Sequence, residues 1–368
     1  MNHALRSAAT RWTISLPLLA LLALVLTWGT YPSTPVLVVV GLLLAAAVLA
    51  SVHHAEVVAH RVGEPFGSLV LAVAVTVIEV ALIVTLMVSG KPDETSTLAR
   101  DTVFAAVMIT LNGIVGLSLL LGALRTRVAR FNAEGTGAAL TTVATLATLS
   151  LVLPTFTTSV PGPEFSPSQL AFAAVASLVL YGLFVFVQTV RHRDYFLPRA
   201  AAGGAHDDPE EHADPPSSRA ALVSLGMLVV ALVAVVGLAK IESPAIEDGV
   251  DAAGLPQSAV GVVIALLVLL PETLAAANNA RRDRVQTSLN LGLGSAMASI
   301  GLTIPAIAVA SIWLDGPLVL GLEATQMVLL LITVVVSVLT VVPGRATLQQ
   351  AGVHLVLFFA FLFLAASP

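Results

Sequence analysis

The 368-residue chain is 57% hydrophobic and only 11% charged. A soluble domain carries about 25% charged residues, so this chain cannot clothe a globule in solvated side chains, although it can clothe one in side chains that face lipid. Cysteine is absent, which excludes disulfides and thiol chemistry, and a net charge of −5 offers no footprint for nucleic acid.

Apolar runs of about 20 residues recur along the chain, each able to cross a hydrocarbon core of about 30 Å. Read against their polar breaks, they predict an all-α polytopic membrane protein with eleven transmembrane helices. The spans are 14–30, 35–59, 67–89, 102–124, 137–160, 168–190, 219–240, 257–279, 286–312, 319–342 and 348–366. Arg6 and Arg11 ahead of the apolar run Leu16 to Trp28 resemble the start of a signal peptide. The following Gly29-Thr30-Tyr31-Pro32 offers no small-x-small cleavage site, so the run reads as an uncleaved leading helix. With three Tyr and three Trp, the interfacial aromatic belt is thin.

One long break, 191–218, is hydrophilic and acidic at its centre, from His206 to Asp214. It lacks the apolar side chains to build a core. It divides the chain into a leading helix (1–33), a first five-helix repeat (34–190), the acidic linker itself and a second five-helix repeat (219–368). With the N-terminus placed in the cytoplasm, the inward segments hold fourteen of the 17 Lys and Arg, and the outward ones hold Lys91, Arg100 and Lys240. Such a bias sets orientation and leaves the C-terminus outside, in a multi-pass protein of the cell's inner (plasma) membrane.

The two fives are weakly alike. Ser68 to Ala72, leading to Glu79, lies over Gly261 to Ala265, leading to Glu272; Thr102 to Leu117 lies over Thr287 to Leu302, with Thr110 on Ser295. An odd number of helices per unit makes the repeats inverted, a pattern that in transporters places a site at the midplane between them.

Glu79 stands mid-span in the third helix, where a charge costs on the order of 3 kcal/mol by insertion scales. Ser68 and Thr76 share its face. Glu272 is its counterpart in the eighth helix. Pro271 beside it deprives the carbonyl of Leu267 of its helical donor, and a freed carbonyl is a cation ligand. The simplest alternative is a protonated glutamic acid hydrogen-bonded within the bundle. Ser288, Gly292, Ser295, Ser299 and Thr303 form a stripe in the ninth helix, and Thr102, Ala106, Thr110 and Gly113 form one in the fourth, with Asn112 to one side. These suit either close helix packing or a lining of hydroxyl and carbonyl oxygens. Near the cytoplasmic end of the second helix, His53, Glu56 and His60 fall on one face as a gate or pH sensor, with plain interfacial placement or a zinc site as alternatives. Glu323 and His354 lie near helix ends, where they suit a pathway or simply the interface.

The layout resembles the cation/proton exchanger branch of the calcium/cation antiporter superfamily, and within it the bacterial ChaA-type sodium–calcium/proton antiporters. The segments that carry the resemblance are Glu56 to Glu64, Gly67 to Glu79, and Glu272 with Gly294-Ser295 and Pro305, together with the acidic linker. The resemblance implies that Glu79 and Glu272 are the central ion and proton site, with Thr110, Asn112 and Ser295, and beside them Thr76 and Ser299, as supporting ligands. Many exchangers of this branch carry Gly-Asn-Ala before each glutamate; here those places hold Thr76-Val77-Ile78 and Leu269-Leu270-Pro271. The expected function is antiport of a cation, calcium before sodium or potassium, against protons by alternating access. The partners are then inorganic cations, protons and the bilayer, with no cofactor and no catalytic residue. Two readings from other classes are a cation channel and a membrane-embedded metal enzyme; no nucleophile–base pair stands at membrane depth to support the latter.

Overall fold

The computed structural model describes residues 2–30, 32–63, 66–89, 95–197, 216–256, 258–313 and 316–367, with the side chains of 2–11, 66–72, 89, 247 and 251 outside the description. Most of the acidic linker, Glu64, Lys91 and the side chain of Ser68 therefore lie outside the described residues. The described chain is almost entirely helical. It comprises α1 (Asn2–Thr27), α2 (Thr34–Val62), α3 (Phe66–Ser89), α4 (Leu98–Thr126), α5 (Ala133–Phe156), α6 (Pro167–Arg191), α7 (Ser218–Ala252), α8 (Ser258–Arg281), α9 (Val285–Ala310), α10 (Ala324–Val341) and α11 (Leu348–Ala366). These are the eleven expected helices. Nine are long and apolar enough to cross a membrane, and α1 and α3 contribute shorter apolar stretches, Trp12–Thr27 and Val73–Val88.

Several helix starts follow from local chemistry. Ser166 and Gln169 close a capping box ahead of Pro167, which suits a first-turn position because it has no N–H to satisfy. Thr347 with Gln350 and Glu323 with Gln326 do the same for α11 and α10, and Asn132 caps α5 through its side-chain oxygen. Glu323 is thus a helix cap, largely exposed, that also takes a hydrogen bond from Arg100 at 3.3 Å. Helix α7 outruns its expected span and continues through Pro244 to Ala252.

Contacts divide the chain into two compact units that do not follow sequence order. Unit one holds α1, α2, α3 and α7, and unit two holds α4 to α6 and α8 to α11. In unit one, α7 packs along α1, α2 and α3. Gly237 admits the side chain of Leu24, and Gly41 of α2 lies under the carboxylate of Glu242. His54 is buried and its Nε2 meets the carbonyl of Thr13 at 2.9 Å, tying α2 to α1.

Unit two is built around α4. In its most apolar 18-residue window 83% of residues are buried, against 17% for α11, so α4 is the core helix and α11 a lipid-facing one. The outward residues of α10 and α11 include Leu331, Leu339, Phe359 and Phe363, as a bilayer requires. Two strands, β1 (Ala129–Arg130) and β2 (Arg345–Ala346), pair antiparallel at the end of the unit that carries Arg125 and Arg281. The first residues of the linker are fastened here too. Phe196 stacks edge-on against Phe184, and its carbonyl accepts from Asn290.

Glycine allows α8 to approach α4. A Cβ on Gly261 would sit 2.9 Å from the backbone nitrogen of Thr102 and 3.0 Å from Cβ of Asp101. Gly261→Val should therefore lower stability by about 1–3 kcal/mol, read as a lower midpoint of thermal unfolding in detergent. Gly226→Val, where nothing stands within 4 Å, should leave the midpoint unchanged.

Candidate ion-binding site

Each unit buries one of the two glutamates. In unit one, α3 alternates faces at helical period. Val73, Val77 and Val88 point outward, while Thr76, Glu79, Ile83 and Leu86 are buried, Glu79 to 4% exposure. A carboxylate so placed needs a proton, a cation or a hydrogen-bonding partner, because its ionised form cannot be left unpaired in an apolar surround.

In unit two, Glu272 is buried at 7% exposure in the middle of α8, directly after Pro271. Helix α8 packs along the whole of α4, including the segment Ile109–Ile114, which is a π-turn. A π-turn inserts one residue into the helical ladder, and such turns gather at functional sites. Thr110 and Asn112 lie within it and are fully buried. Asn112 donates from Nδ2 to Thr333 Oγ1 at 2.9 Å. Its Oδ1, the hydroxyl of Thr110 and the hydroxyl of Thr102 are buried without a hydrogen-bond partner among the described residues. Buried oxygens in that state are short of a donor or a cation.

The same π-turn corrects the stripe read on α4. At a regular helical period Gly113 would share the face of Thr110. The inserted residue breaks that register. Gly113 lies under the ring of Phe358 of α11, whereas Thr110 faces Gly292 of α9. The stripe on α9 divides by role. Ser288 bonds Ser118 at 2.6 Å and the carbonyl of Ala276 at 2.7 Å, and Gly292 receives Ile114, so this end is packing. Farther along, Ser299 and Thr303 are buried and Ser295 is half-buried; the hydroxyl of Thr303 lacks a partner among the described residues.

His53, Glu56 and His60 do not gather into a metal site: among the described residues no three His, Asp or Glu converge closely enough to hold one. His53 and Glu56 are half-buried and His60 is exposed, with the ring of His53 6.3 Å from Trp12. The buried member of this region is His54, which one-face spacing passed over. A second missed group is the pair Arg100 and Asp101 at the start of α4. Both are buried and joined at 2.8 Å, with Gln326 donating to Asp101 at 3.2 Å. Adjacent opposite charges at the mouth of an apolar run are the signal that marks them. Thr333 and Ser337 of α10 are buried hydroxyls that the sequence reading also passed over.

The sequence pattern of the sodium/calcium exchanger protein family matches residues 32–190 and 223–366. The protein y4hA of Sinorhizobium fredii is 49% identical over 330 residues, which cover 89% of this chain and 87% of its own length. The sodium-potassium/proton antiporter ChaA of Escherichia coli is 34% identical over 98% of this chain and 99% of its own length. Among solved structures, native YfkE superposes with a TM-score of 0.70 at 14% identity, covering 98% of this chain and 99% of that one. The H+/Ca2+ exchanger CAX does so with 0.69 at 18% identity, covering 95% and 86%. These likenesses at low identity establish the fold.

The bond from Asn112 to Thr333 can be isolated by a double-mutant cycle. Asn112→Ala and Thr333→Val should each destabilise the protein by about 1–3 kcal/mol. The double variant should lose clearly less than the two combined, as measured by thermal unfolding.

Proposed function

We propose that this chain, which belongs to the sodium/calcium exchanger protein family, carries a cation across the membrane in exchange for protons, and that Glu79 and Glu272 are shared between the two. The observation that carries the reading is the burial of both carboxylates mid-helix, at 4% and 7% exposure, at matching positions of the two sequence halves. Burial favours the protonated carboxyl and a bound cation favours the ionised one. Cation entry then expels protons, and reprotonation expels the cation. Competition of this kind couples the two fluxes once access alternates between the two sides.

The supporting oxygens in this reading come from Thr110, Asn112, Ser295 and Ser299, from Thr76 beside Glu79, and from the carbonyl freed by Pro271. Two carboxylates match one divalent cation against two protons, and calcium favours several hard oxygen ligands. Sodium or potassium is the second reading. It is favoured by the replacement of both amide-bearing tripeptides, by Thr76-Val77-Ile78 and Leu269-Leu270-Pro271, and by the 34% identity to an antiporter named for sodium and potassium. The arginine bias of the loops supports an N-terminus in the cytoplasm and a C-terminus outside, with inverted five-helix repeats behind a leading helix and the acidic linker on the cytoplasmic side. His53, Glu56 and His60 then lie toward the cytoplasm, as a gate or pH sensor at that mouth.

In everted vesicles, dye-reported proton flux driven in turn by calcium, sodium and potassium identifies the cation. Glu79→Gln and Glu272→Gln should each reduce that flux to background for every cation. Unimpaired proton-coupled flux in either variant would remove that residue from the site.

A further inference from the structure

The pairing of β1 with β2 sets two arginines side by side. In this antiparallel ladder Ala129 lies opposite Ala346, and Arg130 lies opposite Arg345. Both alanines are fully buried, and Cβ of Ala129 lies 3.1 Å from the place that a Cβ on Gly122 of α4 would take. Neighbours along a strand point to opposite faces. The two arginines therefore stand on the outer face, and both are exposed. The backbone nitrogen of Phe131 donates to the carbonyl of Gly344 at 3.1 Å, a bond that flanks the Arg130–Arg345 position. That makes it a non-hydrogen-bonded pair, the kind in which facing residues come closest, with Cβ atoms about 4.5–5.5 Å apart.

Like charges directly opposite one another destabilise a ladder, and protein carboxylates do not relieve this pair. Neither Arg130 nor Arg345 forms an ion pair or a side-chain hydrogen bond with any described residue. Glu134, Asp194 and Asp283 are exposed on the connections of unit two and pair with neither arginine. Further positive charge stands at the same end, with Arg125 and Arg127 at the close of α4 and Arg281 at that of α8, where Arg125 donates to the carbonyl of Arg281. Arg100 of the same unit shows the opposite state: it is buried, with Asp101 at 2.8 Å and Glu323 at 3.3 Å. The exposed pair lacks the anion that Arg100 has.

The surround indicates which anion fits. Val342 stands three residues before Arg345 and Leu348 three after it, and both are exposed. Leu339 continues the side of α10 on which Val342 lies, and it is exposed too. Apolar side chains exposed on a spanning helix face acyl chains, so the arginines stand where α10 and α11 pass out of hydrocarbon. The anion that a bilayer supplies at that level is a lipid phosphate. A guanidinium presents a planar fork of donors that matches phosphate oxygens.

We propose that Arg130 and Arg345 form a binding site for the phosphate headgroup of an anionic lipid, whose acyl chains lie along Leu339, Val342 and Leu348. One phosphate shared by both guanidinium groups offsets the repulsion across the ladder. It thereby fastens the connection between α4 and α5 to the connection between α10 and α11. The site is independent of the exchange reading.

The test places wild type, Arg130→Gln, Arg345→Gln and the double variant in nanodiscs of phosphatidylcholine, with phosphatidylglycerol added in steps, and follows thermal unfolding. The wild-type midpoint should rise as phosphatidylglycerol is added. In phosphatidylcholine alone, Arg345→Gln removes the repulsion, so its midpoint should equal or exceed that of wild type; in phosphatidylglycerol it should fall below. Each single variant should lose about fivefold in affinity for phosphatidylglycerol. The double variant should lose less than the product of the two, because both arginines hold one phosphate. The same ranking of wild type and variants in both lipids overturns the site. So does a loss in the double variant equal to the product, which describes independent surface charges. Inorganic phosphate that reproduces the full rise in phosphatidylcholine nanodiscs overturns the assignment to a lipid.

Discussion

A group that needs water or a partner, held where hydrocarbon supplies neither, is the constraint on which this protein depends. Each helix satisfies its own backbone, which is why the chain is helical throughout its spans. The side chains are the exceptions, and among the described residues they are few: Glu79, Glu242, Glu272, the pair Arg100 and Asp101, Asn112, Gln286, His54, His354 and a set of hydroxyls in a mostly apolar sequence. An unneutralised carboxylate at such depth is too costly to persist without a partner, and in the proposed reading a proton or a cation closes each of the two glutamates. Exchange of one for the other is the proposed reading that this burial supports.

The packing of unit two serves the same constraint. Helix α4 is enclosed by α8, α9 and α11 through Gly261, Gly292, Gly113 and Gly116, each giving a neighbour room at close range. Such approach excludes lipid from the π-turn and leaves Thr110 and Asn112 among protein groups. The hydroxyls of Ser118 and Ser288 meet one another and a carbonyl, so they consume their own polarity in joining α4, α8 and α9. The hydroxyls of Thr102, Thr110 and Thr303 do not, and that difference separates glue from candidate ligand.

Much of this was legible in the chain. Run length and polar breaks located all eleven helices, since a bilayer fixes span length more tightly than any soluble core does. The glutamates stood out because nothing near them in sequence is charged. The π-turn did not. Ile109 to Ile114 has no local signal for an inserted residue, and the groups packed at Gly113 and, just beyond the turn, at Gly116 are Phe358 and His354, some 240 residues later. A stripe drawn at a constant period therefore placed Gly113 wrongly. His54 was passed over in favour of His53, Glu56 and His60 because face spacing says which residues align, not which face is covered; α1 covers the face of His54. Glu323 read as a pathway or interfacial residue; it is largely exposed at a helix end and also caps that helix, a role that Gln326 three residues on could have signalled.

The central claim is that protons and cation compete for the same buried carboxylates, and stoichiometric titration tests it most directly. Purified protein in weakly buffered detergent solution receives calcium, sodium or potassium while a pH dye follows proton release. The account predicts release of protons in step with saturation by the transported cation, and its disappearance in the variant lacking both carboxylates, Glu79→Gln with Glu272→Gln. Saturable cation binding with no proton release would contradict it.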